Sequence, residues 1–390
     1  MTARRRRTVY AVCLVVGTLA TACSSASTRE AANPTTTTVA ITPSESVTDH
    51  TAPEVTEPPA TGAVDLDEQL QSTMDAWEDA APGGGVAYVR TAEGSHVVVA
   101  SGIDPKTDAP LSAASRLRMG SISKPVVATM VMQLVDQGVI GLDAPVSQYL
   151  PDLALPTDPT VRQLLGHRSG IASYTDSPAF GLVTFSNFDS SFTPDDVLSY
   201  VDPEPAFSPG ESFAYSNTNY IVAGLLVEEV TGMSFADALR VQITEPLGLT
   251  SMEFADGTLD DVVGGYSSFA RDGWFDEPYV SVATGAWAAG ALVSTVDDLA
   301  VFFDALLVGD LVSEEAREEM LADIESSWRY GLGLHPGDHF GVGHGGAIVG
   351  SMSIAQFDVD TGEAVVVVTN NDMRRPSVIA GQLVGVLRAK

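Results

Sequence analysis

The chain is 390 residues long, 45% hydrophobic, and carries a formal net charge of −31. That length suffices for two ordinary domains or one large one with a substantial core. So acidic a surface repels polyanions, which argues against nucleic-acid binding.

At the N-terminus, Arg4 to Arg7 form a basic patch, Val9 to Ala20 an apolar run, and Thr21-Ala22-Cys23 follows. The run is too short to span a bilayer comfortably and has the layout of a signal peptide over residues 1–22. Small residues before Cys23 resemble a bacterial lipobox, which implies cleavage there and acylation (palmitate) of the Cys23 thiol. An ordinary signal peptide or an uncleaved anchor is the alternative. Without those four arginines the mature chain carries about −35 against −31 for the whole. Cys13 and Cys23 are the only cysteines. The mature domain is therefore expected to lack disulfides, thiolate chemistry and cysteine-based zinc sites. Residues 23–63 begin with the lipidated cysteine and continue as a Thr/Pro-rich linker that cannot bury enough apolar surface to order itself. As a flexible coil of about 40 residues it reaches roughly 35 Å. The expected location is secreted and extracytoplasmic, lipid-anchored to the cell membrane.

The folded part is expected over residues 64–390. A helix over about 65–80 ends at Pro82-Gly83-Gly84-Gly85. Val86 to Val89 and His96 to Ser101 read as a hairpin around Thr91-Ala92-Glu93-Gly94. Pro125 to Asp136 is apolar nearly all round and predicts a buried helix closed by Gly138; Pro125 sits in its first turn, where a missing N–H is harmless. Thr193-Pro194-Asp195-Asp196 and Thr295-Val296-Asp297-Asp298 are helix starts. Tyr220 to Val230 predicts another buried helix, stopped by Gly232. Gly350 to Asp358 alternates as a half-buried strand, Asp360-Thr361-Gly362 turns the chain, and Val365 to Thr369 is apolar enough for a central strand. A last helix covers about 376–388. Strands at both ends with helices between predict a mixed fold (α+β or α/β). An antiparallel sheet would be built from both ends of the chain and flanked by helices (about 64–118 and 288–390). An all-helical region would be inserted over about 119–287.

Ser121-Ile122-Ser123-Lys124 opens the first buried helix. Lysine occurs only at Lys106, Lys124 and Lys390. Residues three apart on a helix share a face, so the Lys124 amine can reach the Ser121 hydroxyl and take its proton. Ser121 near the positive end of the helix dipole favours a developing alkoxide. To act as a base, Lys124 must be neutral, and burial in an apolar segment lowers its pKa from the usual value near 10.4. A capping serine and a surface ion pair are the competing readings. His335, His339 and His344 suggest no metal site, because Pro336-Gly337 breaks any helix that would align them and no carboxylate pattern completes one. No metal or organic cofactor is expected. The Gly-x-Ser-x-Gly nucleophile elbow is absent around Ser121.

Two further patterns follow in order, Tyr215-Ser216-Asn217 and His344-Gly345-Gly346. With them come His167-Arg168-Ser169-Gly170, Phe207-Ser208-Pro209-Gly210 and Pro246-Leu247-Gly248-Leu249. On these motifs, residues of about 65–388 resemble the serine beta-lactamase-like family, which includes class C beta-lactamases, D,D-carboxypeptidases, D-aminopeptidases and esterases. The resemblance implies a beta-lactamase/transpeptidase-like fold with Ser121 as nucleophile. It implies that Tyr215 shuttles protons and that Asn217 holds the amine and the substrate amide. Whether Lys124 or Tyr215 is the acylation base stays open. Tyr215 and Asn217, two apart, would point the same way from an extended loop. The backbone N–H of Ala347 would pair with that of Ser121 as an oxyanion hole. Gly345 and Gly346 would let a substrate backbone lie against the strand edge. His344 stands where the family often has lysine, and its mostly neutral ring grips a substrate carboxylate less well. Tyr174 is read as lining the pocket. The expectation is an extracytoplasmic serine hydrolase of D,D-carboxypeptidase or esterase type, at most a weak beta-lactamase. Its partners would be a small-molecule or peptide substrate and the bacterial membrane. The alternative is a non-catalytic protein that binds penicillin or peptidoglycan peptides on the same fold.

Overall fold

The two most apolar strand runs lie at opposite ends of the chain and pair with each other at the centre of one sheet. The computed structural model describes residues 65–79, 82–255, 261–267, 274–275 and 280–389. The signal segment, Cys23 and the linker lie outside the described residues. In chain order the main elements begin with α1 (Leu66–Glu78), β1 (Gly85–Arg90), β2 (His96–Ser101), α2 (Ser123–Asp136) and α3 (Asn217–Thr231). They continue with α4 (Val280–Gly290), α5 (Val296–Leu307), β3 (His335–Pro336), β4 (Val342–Ile348), β5 (Ser351–Phe357), β6 (Ala364–Thr369) and α6 (Pro376–Arg388). The six-stranded antiparallel sheet has the order β2-β1-β6-β5-β4-β3.

The valine run of β6 is explained by burial on both faces. Successive strand residues face opposite sides. Val86, Tyr88, Val366 and Val368 join the large core formed with α2, α3 and α5. Ala87, Val89, Val365 and Val367 face Leu70 and Met74 of α1 and Ile379 and Leu383 of α6. The register places Val86 opposite Val368 and Val368 opposite Ser353. β5 is not half-buried as its alternation suggests: Met352 is its only partly exposed residue. Helix α6 covers one face of β5 and the turn before α2 packs on it as well.

Eleven of the fourteen residues of α2 are buried, and the helix begins at Ser123, two residues before Pro125. Helix α3 begins at Asn217 rather than Tyr220 and ends at Gly232, whose φ of 66° suits a left-handed cap that only glycine adopts cheaply. The intervening region is not all-helical. Glu253–Phe254 pairs with the strand Leu292–Ser294, and Gly265–Tyr266 pairs with Trp274–Phe275. Two-residue strands offer no periodicity to read in a sequence. Among the described residues no helix is long and apolar enough to cross a membrane.

Leu383 is fully buried between α6 and the sheet. Leu383→Ala is expected to cost about 2–5 kcal/mol. Urea denaturation should show a lower midpoint with an unchanged slope.

Candidate active site

The segment that carries Ser121 is held by its neighbours' backbones. Met119 N–H donates to the Leu292 carbonyl at 2.8 Å. The Ser351 and Ser353 hydroxyls of β5 donate to the carbonyls of Arg118 and Met119 at 2.6 and 2.7 Å. Ser123 donates to the Gly120 carbonyl at 2.7 Å and accepts from Leu292 N–H at 3.0 Å. Gly120 to Ile122 form a short 3-10 turn that runs into α2. Gly120 has φ +53°, and a Cβ there would lie 2.7 Å from the amide nitrogen of Ala347. Only glycine lets the turn approach β4 this closely.

Lys124, in the first turn of α2, is fully buried. Its Nζ lies 2.9 Å from Ser121 Oγ and 2.7 Å from the Ala289 carbonyl oxygen. It also sits 4.9 and 5.6 Å from the ring centres of Tyr215 and Tyr220. No carboxylate among the described residues pairs with it. Burial alone drives its pKa well below the ordinary lysine value. The lowered pKa favours the neutral amine, which donates to the Ala289 carbonyl and lies in hydrogen-bond contact with the Ser121 hydroxyl. The Ala289 carbonyl reaches it from α4, which departs from helical geometry at Trp287 (φ 35°, ψ −129°). Such strain at a non-glycine residue persists only when packing enforces it. Gly224 of α3 makes room, since a Cβ there would come within 2.7 Å of Ala288 Cβ and 2.9 Å of the Trp287 ring.

Burial of the Tyr215 hydroxyl raises its pKa, partly offset by the Ser121 side chain beside it. The residue as a whole is 38% exposed, so it borders the open side of the site. Ser216 is extended and caps α3, while Asn217 is already the first helical residue. Tyr215 and Asn217 therefore do not share one extended stretch. The Asn217 amide donates to Thr175 Oγ1 at 3.2 Å, and its backbone N–H to Ser173 Oγ at 3.1 Å. The residue that holds the amine is Ala289, not Asn217.

The motif on β4 also differs from its reading in sequence. His344 is only 3% exposed. Its Nε2 is 3.0 Å from the Tyr330 hydroxyl, and its Nδ1 meets the Gly345 carbonyl. Burial above all holds its pKa well below the usual value. A Cβ on Gly346 would fall 2.0 Å from the Met119 carbonyl and 2.3 Å from Ser353 Oγ. This glycine thus makes way for the protein's own nucleophile turn rather than for a substrate. Gly345 is more open, with only the Ser353 carbonyl, 3.7 Å away, near an added Cβ. Its N–H donates to His335 Nε2 at 3.2 Å, across the outer edge of β4. Alternation along the strand sends the Ala347 N–H to that same edge, beyond the end of β3 and beside Gly120. Tyr174 does not line an opening: it is 2% exposed and donates to the Gly285 carbonyl at 2.7 Å. His339 contacts the Ser377 carbonyl at 2.7 Å, away from His335 and His344. Among the described residues no group of His, Asp or Glu side chains is placed to hold a metal ion.

Residues 66–384 match the sequence model of the family described as Beta-lactamase. The chain is 27% identical over 232 residues to penicillin-binding protein 4* of Bacillus subtilis (strain 168), covering 55% of this chain. It spans only half (50%) of the length of that relative. Among solved structures, a D-stereospecific amidohydrolase from Streptomyces sp. superposes with TM-score 0.70 at 32% identity, over 81% of this chain and 97% of that one. A D-amino acid amidase from Ochrobactrum anthropi SV3, complexed with D-phenylalanine, gives TM-score 0.70 at 25% identity, over 83% and 98% of the two chains.

The buried amine sets a sign for pH dependence. Between its lowered folded pKa and the unfolded value, the unfolded chain binds the extra proton, so stability rises with pH. Relative to Lys124→Met, the wild type should gain about 1.4 kcal/mol per pH unit across that window, and lose it as pH falls towards the lowered value. Urea titrations of both proteins between neutral and alkaline pH measure the difference.

Proposed function

The chain belongs to the beta-lactamase family, and from that premise we propose that it is a serine hydrolase that cleaves an amide or ester carbonyl through an acyl-enzyme on Ser121. The observation that carries this reading is the fully buried Lys124 amine, 2.9 Å from the Ser121 hydroxyl and without an acidic partner. A neutral amine in that position accepts the hydroxyl proton as Oγ attacks the substrate carbonyl carbon. Lys124 is favoured over Tyr215 as the acylation base, because burial lowers the pKa of the amine and raises that of the phenol. The backbone N–H groups of Ser121 and Ala347 stabilise the tetrahedral oxyanion. As the leaving group departs, it takes a proton from the Lys124–Tyr215 pair. Water then releases the acyl group and restores Ser121.

The buried, neutral His344 offers no cation at the edge of β4. Substrates without a free terminal carboxylate therefore fit better than D,D-carboxypeptidase substrates or beta-lactams. Two structural relatives are named as a D-stereospecific amidohydrolase and a D-amino acid amidase. We infer a substrate of that class, an amide or ester of a D-amino acid or short D-peptide. The N-terminal sequence supports export by residues 1–22 and lipid anchoring at Cys23, with residues 24–63 as tether.

Incubation of the purified protein with a fluorophosphonate should label it, and Ser121→Ala should abolish labelling. Among D-amino acid amides, aryl esters, D-alanyl-D-alanine peptides and a fluorescent penicillin, the first two should turn over fastest. Failure of every reagent to react at Ser121 would leave a binding protein. In cells, the wild type should incorporate labelled palmitate and Cys23→Ser should not. Absence of label in the wild type, or equal label in the variant, would refute the lipid anchor at Cys23.

A further inference from the structure

We propose that His167 is a positioning residue that holds Tyr215 against Ser121, and that it acts through the lone pair on Nδ1. The inference rests on the serine-hydrolase reading above. Residues 206 to 216 have no regular structure. Four hydrogen bonds fix this stretch to residues 167–170. Three run between backbones: Ala206 N–H to the Gly170 carbonyl at 2.9 Å, Gly210 N–H to Arg168 at 2.8 Å, and Ala214 N–H to His167 at 3.1 Å. The fourth needs a particular side chain, for Ser216 N–H donates to His167 Nδ1 at 3.1 Å. Ala214 and Ser216 flank Tyr215, so one residue grips both sides of the tyrosine.

The ring also supports the tyrosine from beneath. His167 is fully buried, with its ring centre 4.3 Å from that of Tyr215 and 4.7 and 5.4 Å from those of Tyr330 and Tyr220. The Asn219 amide lies 3.4 Å from the same Nδ1. A nitrogen that accepts bonds carries no proton, so the proton is on Nε2. Among the described residues Nε2 has no hydrogen-bond partner. An unmatched buried donor costs stability that an apolar side chain would not. The backbone at His167 has φ +56°, which few non-glycine residues adopt readily. A core position chosen for packing alone would favour neither feature. Burial above all holds the ring neutral, which preserves the accepting lone pair.

Two substitutions separate the proposed role from bulk packing. His167→Asn places an acceptor where Nδ1 lies and tolerates positive φ. His167→Gln places its acceptor near the Nε2 position instead. The rate of Ser121 labelling by a fluorophosphonate should be largely kept in the first. In the second it should fall about 100-fold, with kcat for an aryl ester falling likewise and KM little changed. A crystal structure of His167→Gln should show the Tyr215 hydroxyl displaced from Ser121. Equal losses in both variants, or lower thermal stability with an unchanged rate per folded molecule, would overturn the proposal. Should the variants not fold, nitrogen NMR of the wild type decides: a proton on Nδ1 overturns it and a proton on Nε2 supports it. If the wild type is not labelled at all, the hydrolase reading falls, and the crystal structures still decide whether His167 sets the place of Tyr215.

Discussion

The site depends on one desolvated amine. Lys124 is fully buried and has no carboxylate among the described residues to balance a charge, so its protonated form is the disfavoured one. Everything around it maintains that condition. The Ala289 carbonyl satisfies an N–H without stabilising a full charge as a carboxylate would. The rings of Tyr215 and Tyr220 complete the enclosure. The histidines nearby, His167 and His344, are themselves held neutral by burial. Burial thus favours a neutral amine beside the Ser121 hydroxyl, at the expense of burying a polar group.

The second constraint is the close approach of two backbones. Gly120 and Gly346 lie where the nucleophile turn meets β4, and a side chain at either would push the two apart. Ser351 and Ser353 then tie that turn to β5 by its carbonyls. The sheet therefore does more than provide a core. Its inner strand anchors the turn, and its outer strand presents the Ala347 amide beside the nucleophile. Rigid placement of this kind is what oxyanion stabilisation requires.

Sequence made some of these features legible and hid others, for physical reasons. Helix α2 and strand β6 announce themselves because burial all round leaves unbroken apolar runs. Ser121 and Lys124 stand out because lysine is scarce in the chain and helical spacing puts the two together. Ala289 left no signal, since it acts through a carbonyl that every residue carries. Trp287 was equally silent, as its unusual backbone is imposed by packing against α3. Gly346 was visible as a glycine, but which neighbour excludes its side chain depends on a fold contact with Met119. His344 sat in a recognisable motif, yet only the structure shows it turned inwards to Tyr330. His167 was noticed as part of a motif, while its bond to Ser216 joins positions that no local pattern relates.

The centre of the sheet is completed by strands contributed late in the chain. Val86 finds its partner only when Val368 has been made, and the carbonyls flanking the nucleophile turn wait for Ser351 and Ser353. A growing chain can form its helices from local contacts, but not this long-range pairing. Until those strands are in place, the turn that carries Ser121 lacks its anchors. The setting of this serine is consequently a property of the assembled sheet and not of the local segment that carries it.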